Sequence, residues 1–129
     1  MTRQSSASGP SQRQLRVGEM LRKALSEVFI RVEIADPELA GAVITVTEVR
    51  ATPDLRQATA FVMPLGGGAG QQQVVDALDR HRRFIRGEVA RRVELKYIPD
   101  IRFRLDGSFD EADHVDAVLR SARVARDLN

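Results

Sequence analysis

The sequence has no cysteine and no tryptophan, and its aromatic residues are one tyrosine and five phenylalanines. The absence of cysteine excludes disulfide bonds, zinc sites built on thiolates and thiol catalysis. No apolar run approaches the roughly 20 residues that a membrane span requires, and residues 1–14 lack the apolar centre of a secretion signal. We therefore expect a cytoplasmic protein with no membrane segment. A length of 129 residues predicts a single domain.

Positive charge is concentrated in one part of the chain. The whole sequence has a net charge of +2, whereas residues 80–104 hold nine basic residues against three acidic ones, a charge of +6, so the rest of the chain stands at −4. Eighteen of the twenty basic residues are arginine, whose planar guanidinium group binds phosphate through two hydrogen bonds and stacks on bases. This local excess predicts a site for phosphate, and nucleic acid is the commonest large partner that carries it.

Two predicted elements present these cations. Arg82 and Arg86 project from one side of a helix, and Arg102 and Arg104 project together from the polar face of a strand. We interpret them as parts of one surface for RNA phosphates. The predicted RNA-binding residues are Arg80, His81, Arg82, Arg83, Arg86, Arg91, Arg92, Lys96, Arg102 and Arg104, with Arg56 at the margin. The alternatives are a solvated helix face, a basic module that docks an acidic protein, and a general single-strand nucleic-acid binder.

The sequence pattern of the aromatic residues does not favour recognition of bases. Phe61, Phe84 and Phe103 lie in apolar patterns and are predicted to belong to the core. We therefore do not expect the stacking of bases on exposed rings that sheet-type RNA-binding domains use.

The remaining motifs do not indicate catalysis or a bound cofactor. The glycine-rich stretch 66–70 is not followed by the Gly-Lys-Ser/Thr of a phosphate-binding loop, so we interpret it as a flexible linker. His81 and His114 have no second ligand at metal-binding spacing. The acidic residues of 110–116 suit the positive end of a helix dipole. We predict a protein that is not an enzyme and that holds no cofactor or metal.

Periodicity predicts an α+β domain over residues 13–128 after a disordered tail at 1–12. Ser11 and Gln14 form a capping box that opens a helix to about Glu33. Strands are predicted at Val43–Val49 and Ala58–Leu65, joined by the turn Thr52-Pro53-Asp54, and a third strand carries Ile101, Phe103 and Leu105. Helical patterns cover 71–95 and the segment after a second capping box at Ser108 and Glu111. The economical architecture is a three-stranded sheet with helices on one face.

Several stretches of the sequence resemble bacterial ribosome-binding factor A. They are Arg16-Val17-Gly18-Glu19, Val43 to Val49, Thr52-Pro53-Asp54-Leu55-Arg56-Gln57-Ala58, Phe84-Ile85-Arg86-Gly87-Glu88 and Leu95 to Asp106, in the family's order over about residues 12–120. The resemblance implies a type-II KH-like fold, α-β-β-α-α-β, with an additional C-terminal helix. It also implies a monomeric assembly factor without catalytic activity. Such factors bind the immature 30S subunit through 16S ribosomal RNA, support late maturation and are associated with growth in the cold.

The sequence departs from that family at one place. Members usually carry Ala-x-Gly before Phe-Ile-Arg, which makes a sharp kink between the two central helices, whereas this chain has His81, Arg82 and Arg83 there. Without the glycine, a kink that needs positive φ is costly. We therefore expect either a milder bend or a nearly continuous helix, with two added arginines at the corner where the family contacts RNA.

Overall fold

The structure is a computed structural model that describes residues 9–107. Its helices are α1 (Gln12–Arg31), a 3-10 helix (Pro37–Leu39), α2 (Gln71–Arg80) and α3 (Arg82–Ala90). Its strands are β1 (Ala42–Ala51), β2 (Gln57–Gly66) and β3 (Asp100–Leu105). The predicted C-terminal helix with its capping box, and residues 1–8 of the predicted tail, lie outside the described residues.

The first helix begins as the sequence predicts. The Gln14 backbone N–H donates to Ser11 Oγ at 3.1 Å, and the Ser11 N–H donates to Gln14 Oε1 at 2.9 Å, so both halves of the capping box are present. The apolar side of α1, including Leu21, Leu25 and Val28, is fully buried against the sheet. Gly18 faces β1 so closely that a Cβ atom there would lie 2.4 Å from the Val49 carbonyl oxygen.

The sheet has the strand order β1-β2-β3, with β1 and β2 antiparallel and β2 and β3 parallel. Pairing of β1 with β2 is interrupted by a bulge between Val46 and Glu48. Because one extra residue reverses the side-chain alternation, Val46 and Val49 both point toward the helices. The helices within residues 9–107 cover this face only, and Ala58, Ala60, Val62, Ile101 and Phe103 complete the core there.

The hairpin turn and the glycine-rich stretch are both more specific than expected. Leu55 adopts a left-handed φ of 59° in the turn. Gly66 and Gly67 have φ near +77°, and a Cβ atom at Gly67 would lie 3.0 Å from the Ala40 carbonyl oxygen. The stretch is therefore packed against the chain that enters β1, and the interpretation as a plain flexible linker is wrong at Gly67.

The central helical region is divided in two. The predicted helix from 71 to 95 breaks at His81 and ends at Ala90, after which residues 91–99 lead irregularly into β3. His81 has φ −100° and ψ 16°, so the break needs no positive φ and no glycine. The two central helices of the predicted α-β-β-α-α-β order are therefore present, and the alternative of a nearly continuous helix is wrong.

Candidate nucleic-acid interface

Two of the predicted RNA-binding residues are held by carboxylates at the break between α2 and α3. Arg80 Nη2 donates to Asp36 Oδ2 at 3.1 Å and to Glu38 Oε1 at 2.7 Å. His81 Nε2 lies 2.9 Å from the same Asp36 oxygen. The Asp36 side chain is only 11% exposed. Its pKa is lowered by the Glu38 backbone N–H, and further by His81 and Arg80.

Two further arginines are tied to α3 or to the chain that follows it. Arg86 donates from Nε to the carbonyl oxygens of Ile98 at 3.2 Å and Pro99 at 3.1 Å, and its Nη2 also donates to Ile98. Arg92 donates from Nη1 to the Glu88 carboxylate at 3.0 Å and to the Glu88 carbonyl oxygen at 2.8 Å. These guanidinium groups hold the irregular segment and the end of α3 in position, which leaves fewer of their donors for a ligand.

Most of the other predicted residues have no acidic partner in the described part of the chain. Within residues 9–107, no carboxylate oxygen lies within 4.0 Å of the side-chain nitrogens of Arg56, Arg82, Arg83, Lys96, Arg102 or Arg104. Arg82 is half-buried and the other five are exposed. Arg91 belongs with them in practice, because its side chain is 77% exposed and its contact with Glu88 is a long 3.9 Å.

Chain segments that carry several of these cations meet where β3 begins. The Asp100 N–H donates to the Arg56 carbonyl oxygen at 2.9 Å, which brings the hairpin turn to the start of β3. The hydrogen bonds of Arg86 bring α3 to residues 98 and 99, directly before that start. Arg82 lies one helical turn before Arg86 on the same side of α3. The structure thus brings together the turn, the first part of α3 and the segment that carries Lys96.

Arg102 and Arg104 lie on a different face. They alternate with the buried Ile101 and Phe103, so they project from the side of the sheet that the helices leave open. Of the predicted residues, Arg102 and Arg104 thus lie on the open side of the sheet, whereas Arg56 and Lys96 belong to the segments at the edge where β3 begins. Arg80, His81 and Arg92 lie apart from that edge, beside Asp36 and Glu88.

The expectation for the aromatic residues is correct for Phe103 and wrong for Phe61 and Phe84. Phe103 is buried, with its ring centroid 6.1 Å from that of Phe29. Phe84 is 47% exposed because the adjacent Ile85 takes the buried position on α3. Phe61 is half-buried on the open face, since the inward positions of β2 are filled by Ala58, Ala60, Val62 and Pro64. Apolar residues occupy both faces of β2, so alternation alone did not indicate which side the helices cover.

Some functional classes have no support among the described residues. Across residues 9–107, no group of three His, Cys, Asp or Glu side chains is arranged to hold a metal ion. In the same part of the chain, no helix combines the length and apolar character needed to cross a membrane.

The order of elements and the pairing of strands define an α+β domain of the KH-like class. Residues 13–119 match the family model described as ribosome-binding factor A. The chain belongs to the ribosome-binding factor A family. The sequence resemblance to that family is thereby confirmed.

Individual relatives agree with this assignment. Ribosome-binding factor A of Methylorubrum extorquens (strain PA1) is 55% identical over 128 residues, which cover 99% of this chain and 88% of that protein. The protein of the same name from Methylobacterium nodulans is 54% identical over 128 residues, covering 99% and 94%.

Solved structures of the same family share the fold. The crystal structure of ribosome-binding factor A from Thermus thermophilus has a TM-score of 0.60 and 26% identity, covering 71% of this chain and 93% of that one. Coordinates of the Thermus thermophilus factor fitted into a cryo-EM map of its complex with the 30S subunit have a TM-score of 0.56 and 27% identity, covering 70% and 91%.

Proposed function

We propose that this protein assists late maturation of the small ribosomal subunit, including during growth in the cold. It binds the free, immature 30S subunit through 16S ribosomal RNA, acts as a monomer in the cytoplasm and catalyses no reaction. Membership of the ribosome-binding factor A family supports the ribosomal partner.

The observation that carries the RNA contact is the division of the basic residues into two groups. Arg80, Arg86 and Arg92 have their donors engaged within the protein, whereas Arg56, Arg82, Arg83, Lys96, Arg102 and Arg104 have no carboxylate partner among residues 9–107. A guanidinium group without an internal partner gives up little when it binds a phosphate. We therefore assign the principal phosphate contacts to the second group together with Arg91, whose contact with Glu88 is long, and we assign Arg80, His81, Arg86 and Arg92 to stabilising the fold.

Co-sedimentation with purified 30S subunits tests this assignment. The double substitution Arg82→Glu and Lys96→Glu reverses two charges at the edge where β3 begins, so binding should be lost at physiological salt. Arg31→Glu on α1 is the control, because Arg31 is exposed and lies outside the proposed surface. Equal binding by the double variant and the wild-type protein would contradict the assigned surface.

A second experiment separates a ribosomal factor from a general nucleic-acid binder. Cold-grown cells are fractionated on a sucrose gradient, and the protein should appear with free 30S subunits and be absent from 70S ribosomes. Random RNA of equal length should compete poorly with 30S subunits for the purified protein. Equal competition would favour the general binder, and a nuclease-resistant complex with an acidic protein would favour the interaction module.

A further inference from the structure

The face of the sheet that the helices of residues 9–107 leave open carries a defined set of side chains. Strand register places two rows of side chains across it: Arg50, Thr59 and Arg102 in one row, and Glu48, Phe61 and Arg104 in the next. We call these six residues the open-face cluster. The bulge in β1 is what brings Glu48 and Arg50 to this side, because without the extra residue they would point into the helix layer.

At the centre of the cluster, Arg50 lies over Phe61. The guanidinium carbon of Arg50 is 5.1 Å from the centroid of the Phe61 ring. Glu48 holds the same group from the side, with 2.8 Å from Arg50 Nε to Glu48 Oε2 and 3.3 Å from Nη2 to Oε1. The bond to Glu48 raises the pKa of Arg50. Glu48 occupies donors at one edge of this guanidinium, while the Arg50 side chain remains 69% exposed. Arg50 therefore offers a partner mainly its plane.

Arg102 and Arg104 offer a partner their hydrogen-bond donors, whereas Arg50 offers mainly its plane. Neither has a carboxylate partner within residues 9–107, and both are exposed, so their donor edges are available. Positions two apart on a strand are about 6.6 Å apart along its axis. Arg104 is directly opposite Phe61 in the parallel register, which places it beside the stacked pair of Arg50 and Phe61.

We propose that the open-face cluster binds a short unpaired stretch of RNA. One base stacks on the plane formed by Arg50 over Phe61, and Arg102 and Arg104 bind the adjacent phosphates. Unpaired bases stack on aromatic rings and on guanidinium planes, whereas bases within a duplex are not accessible in this way. An acidic protein would bind mainly through donor edges, and Glu48 already occupies the Nε–Nη2 edge of Arg50, whereas a base also uses the plane that this group exposes. This inference rests on the proposed function, since that function identifies RNA as the partner.

The test measures binding of a fluorescent octa-uridylate to the full chain by anisotropy. Arg50→Lys keeps the charge and removes the plane, and Phe61→Leu keeps an apolar side chain and removes the ring. Each should weaken binding about tenfold, the effect of one lost stacking contact. Arg104→Lys keeps the positive charge that a phosphate contact requires, so this variant should bind the octa-uridylate nearly as tightly as the wild type does. Arg31→Lys, paired with Glu27 on α1, is the matched control for a change of arginine to lysine elsewhere.

A salt titration measures the phosphate contacts separately. Replacing both Arg102 and Arg104 by Gln should reduce the slope of log affinity against log salt by about 1.4, since each single-strand phosphate contact contributes about 0.7. A slope equal to that of the wild-type protein would contradict the proposed role of these two residues. Circular dichroism of every variant excludes unfolding as the cause of lost binding.

The outcomes also separate this site from the proposed function. Failure of the wild-type chain to bind the octamer, or equal binding by Arg50→Lys and Arg31→Lys, would overturn the open-face site even if the protein still co-sediments with 30S subunits. Tighter binding of an oligo-glutamate peptide of equal charge would also overturn it in favour of an acidic protein partner. Octamer binding that depends on Arg50 and Phe61, without any association with 30S subunits, would support the site and refute the ribosomal function.

Discussion

Arg86 provides the sharpest test of the distinction between arginines that hold the fold and arginines that contact RNA. Its guanidinium group donates to the carbonyl oxygens of Ile98 and Pro99 and so fastens α3 to the segment before β3. We consider Arg86→Met, which keeps a long apolar stem over the same surface and removes every donor.

The cost follows from the two carbonyl groups that lose their partner. Pro99 is buried and Ile98 is half-buried, and an unsatisfied buried acceptor costs about 1–3 kcal/mol. We expect Arg86→Met to lower the free energy of unfolding by about 3 kcal/mol. This value lies between the cost of one partly hydrated acceptor and the cost of two fully buried acceptors. With a slope of about 1.5 kcal/mol per molar urea for a domain of this size, the unfolding midpoint should fall by about 2 M.

Urea denaturation followed by circular dichroism measures this loss, and Arg83→Met is the matched control. Arg83 is exposed and has no carboxylate partner among residues 9–107, so its substitution should change stability by less than about 0.5 kcal/mol while weakening RNA binding. If Arg86→Met proves as stable as the wild type, the assignment of Arg86 to the fold is refuted. A stable Arg86→Met protein with lost RNA affinity would return this residue to the interface.

Three further predictions concern packing, pH and salt. Gly18→Ala should destabilise the protein by about 1–3 kcal/mol, because the new Cβ atom would overlap the Val49 carbonyl oxygen at 2.4 Å; thermal unfolding checks this, and an unchanged midpoint would contradict the close approach. The pKa of Asp36 is lowered in the folded state from an ordinary value of 3.8, so its ionised form should add stability above about pH 4 that disappears as the pH falls through the folded pKa. The difference in urea midpoint between the wild type and Asp36→Asn should therefore be largest near pH 7 and should shrink as the pH falls below about 4. A difference that is the same at pH 7 and in acid would contradict the ionic role. For binding to 30S subunits, six phosphate contacts predict a log–log salt slope of about −4 to −5, and replacing Arg82 and Arg83 by Gln should reduce its magnitude by about 1.4–1.8; a slope unaffected by both changes would exclude them from the contact.

Local signals in the sequence predict most of the fold. The capping box at Ser11, the two strands of the hairpin and the alternation of β3 depend on neighbouring residues, and the structure has all three. The break at His81 was not located by the sequence, because the apolar pattern of 71–95 continues across it and residues on both sides join the same core. The separate 3-10 helix before β1 was also missed.

The sequence locates the basic residues along the chain but does not indicate how they are arranged in the fold. Local charge identifies the arginine-rich region, but the partner of Arg80 lies 44 residues away at Asp36, and no short-range pattern indicates such a pairing. The stacking of Arg50 on Phe61 depends on the bulge in β1, which moves Arg50 to the open face. A single inserted residue in a ladder has no distinctive sequence signal, so this surface could be found only from the structure.

The parallel pairing of β3 with β2 has a consequence for synthesis of the chain. Gln57 pairs with Asp100, so the edge of β2 leaves the translating ribosome roughly 40 residues before its neighbour does. At about 5–20 residues per second, that edge waits about 2–8 s without its final partner. During this interval the nascent hairpin and α1 can assemble, whereas the sheet can be completed only after both central helices have emerged. Slower translation in the cold lengthens the period in which this strand edge is available for misassociation.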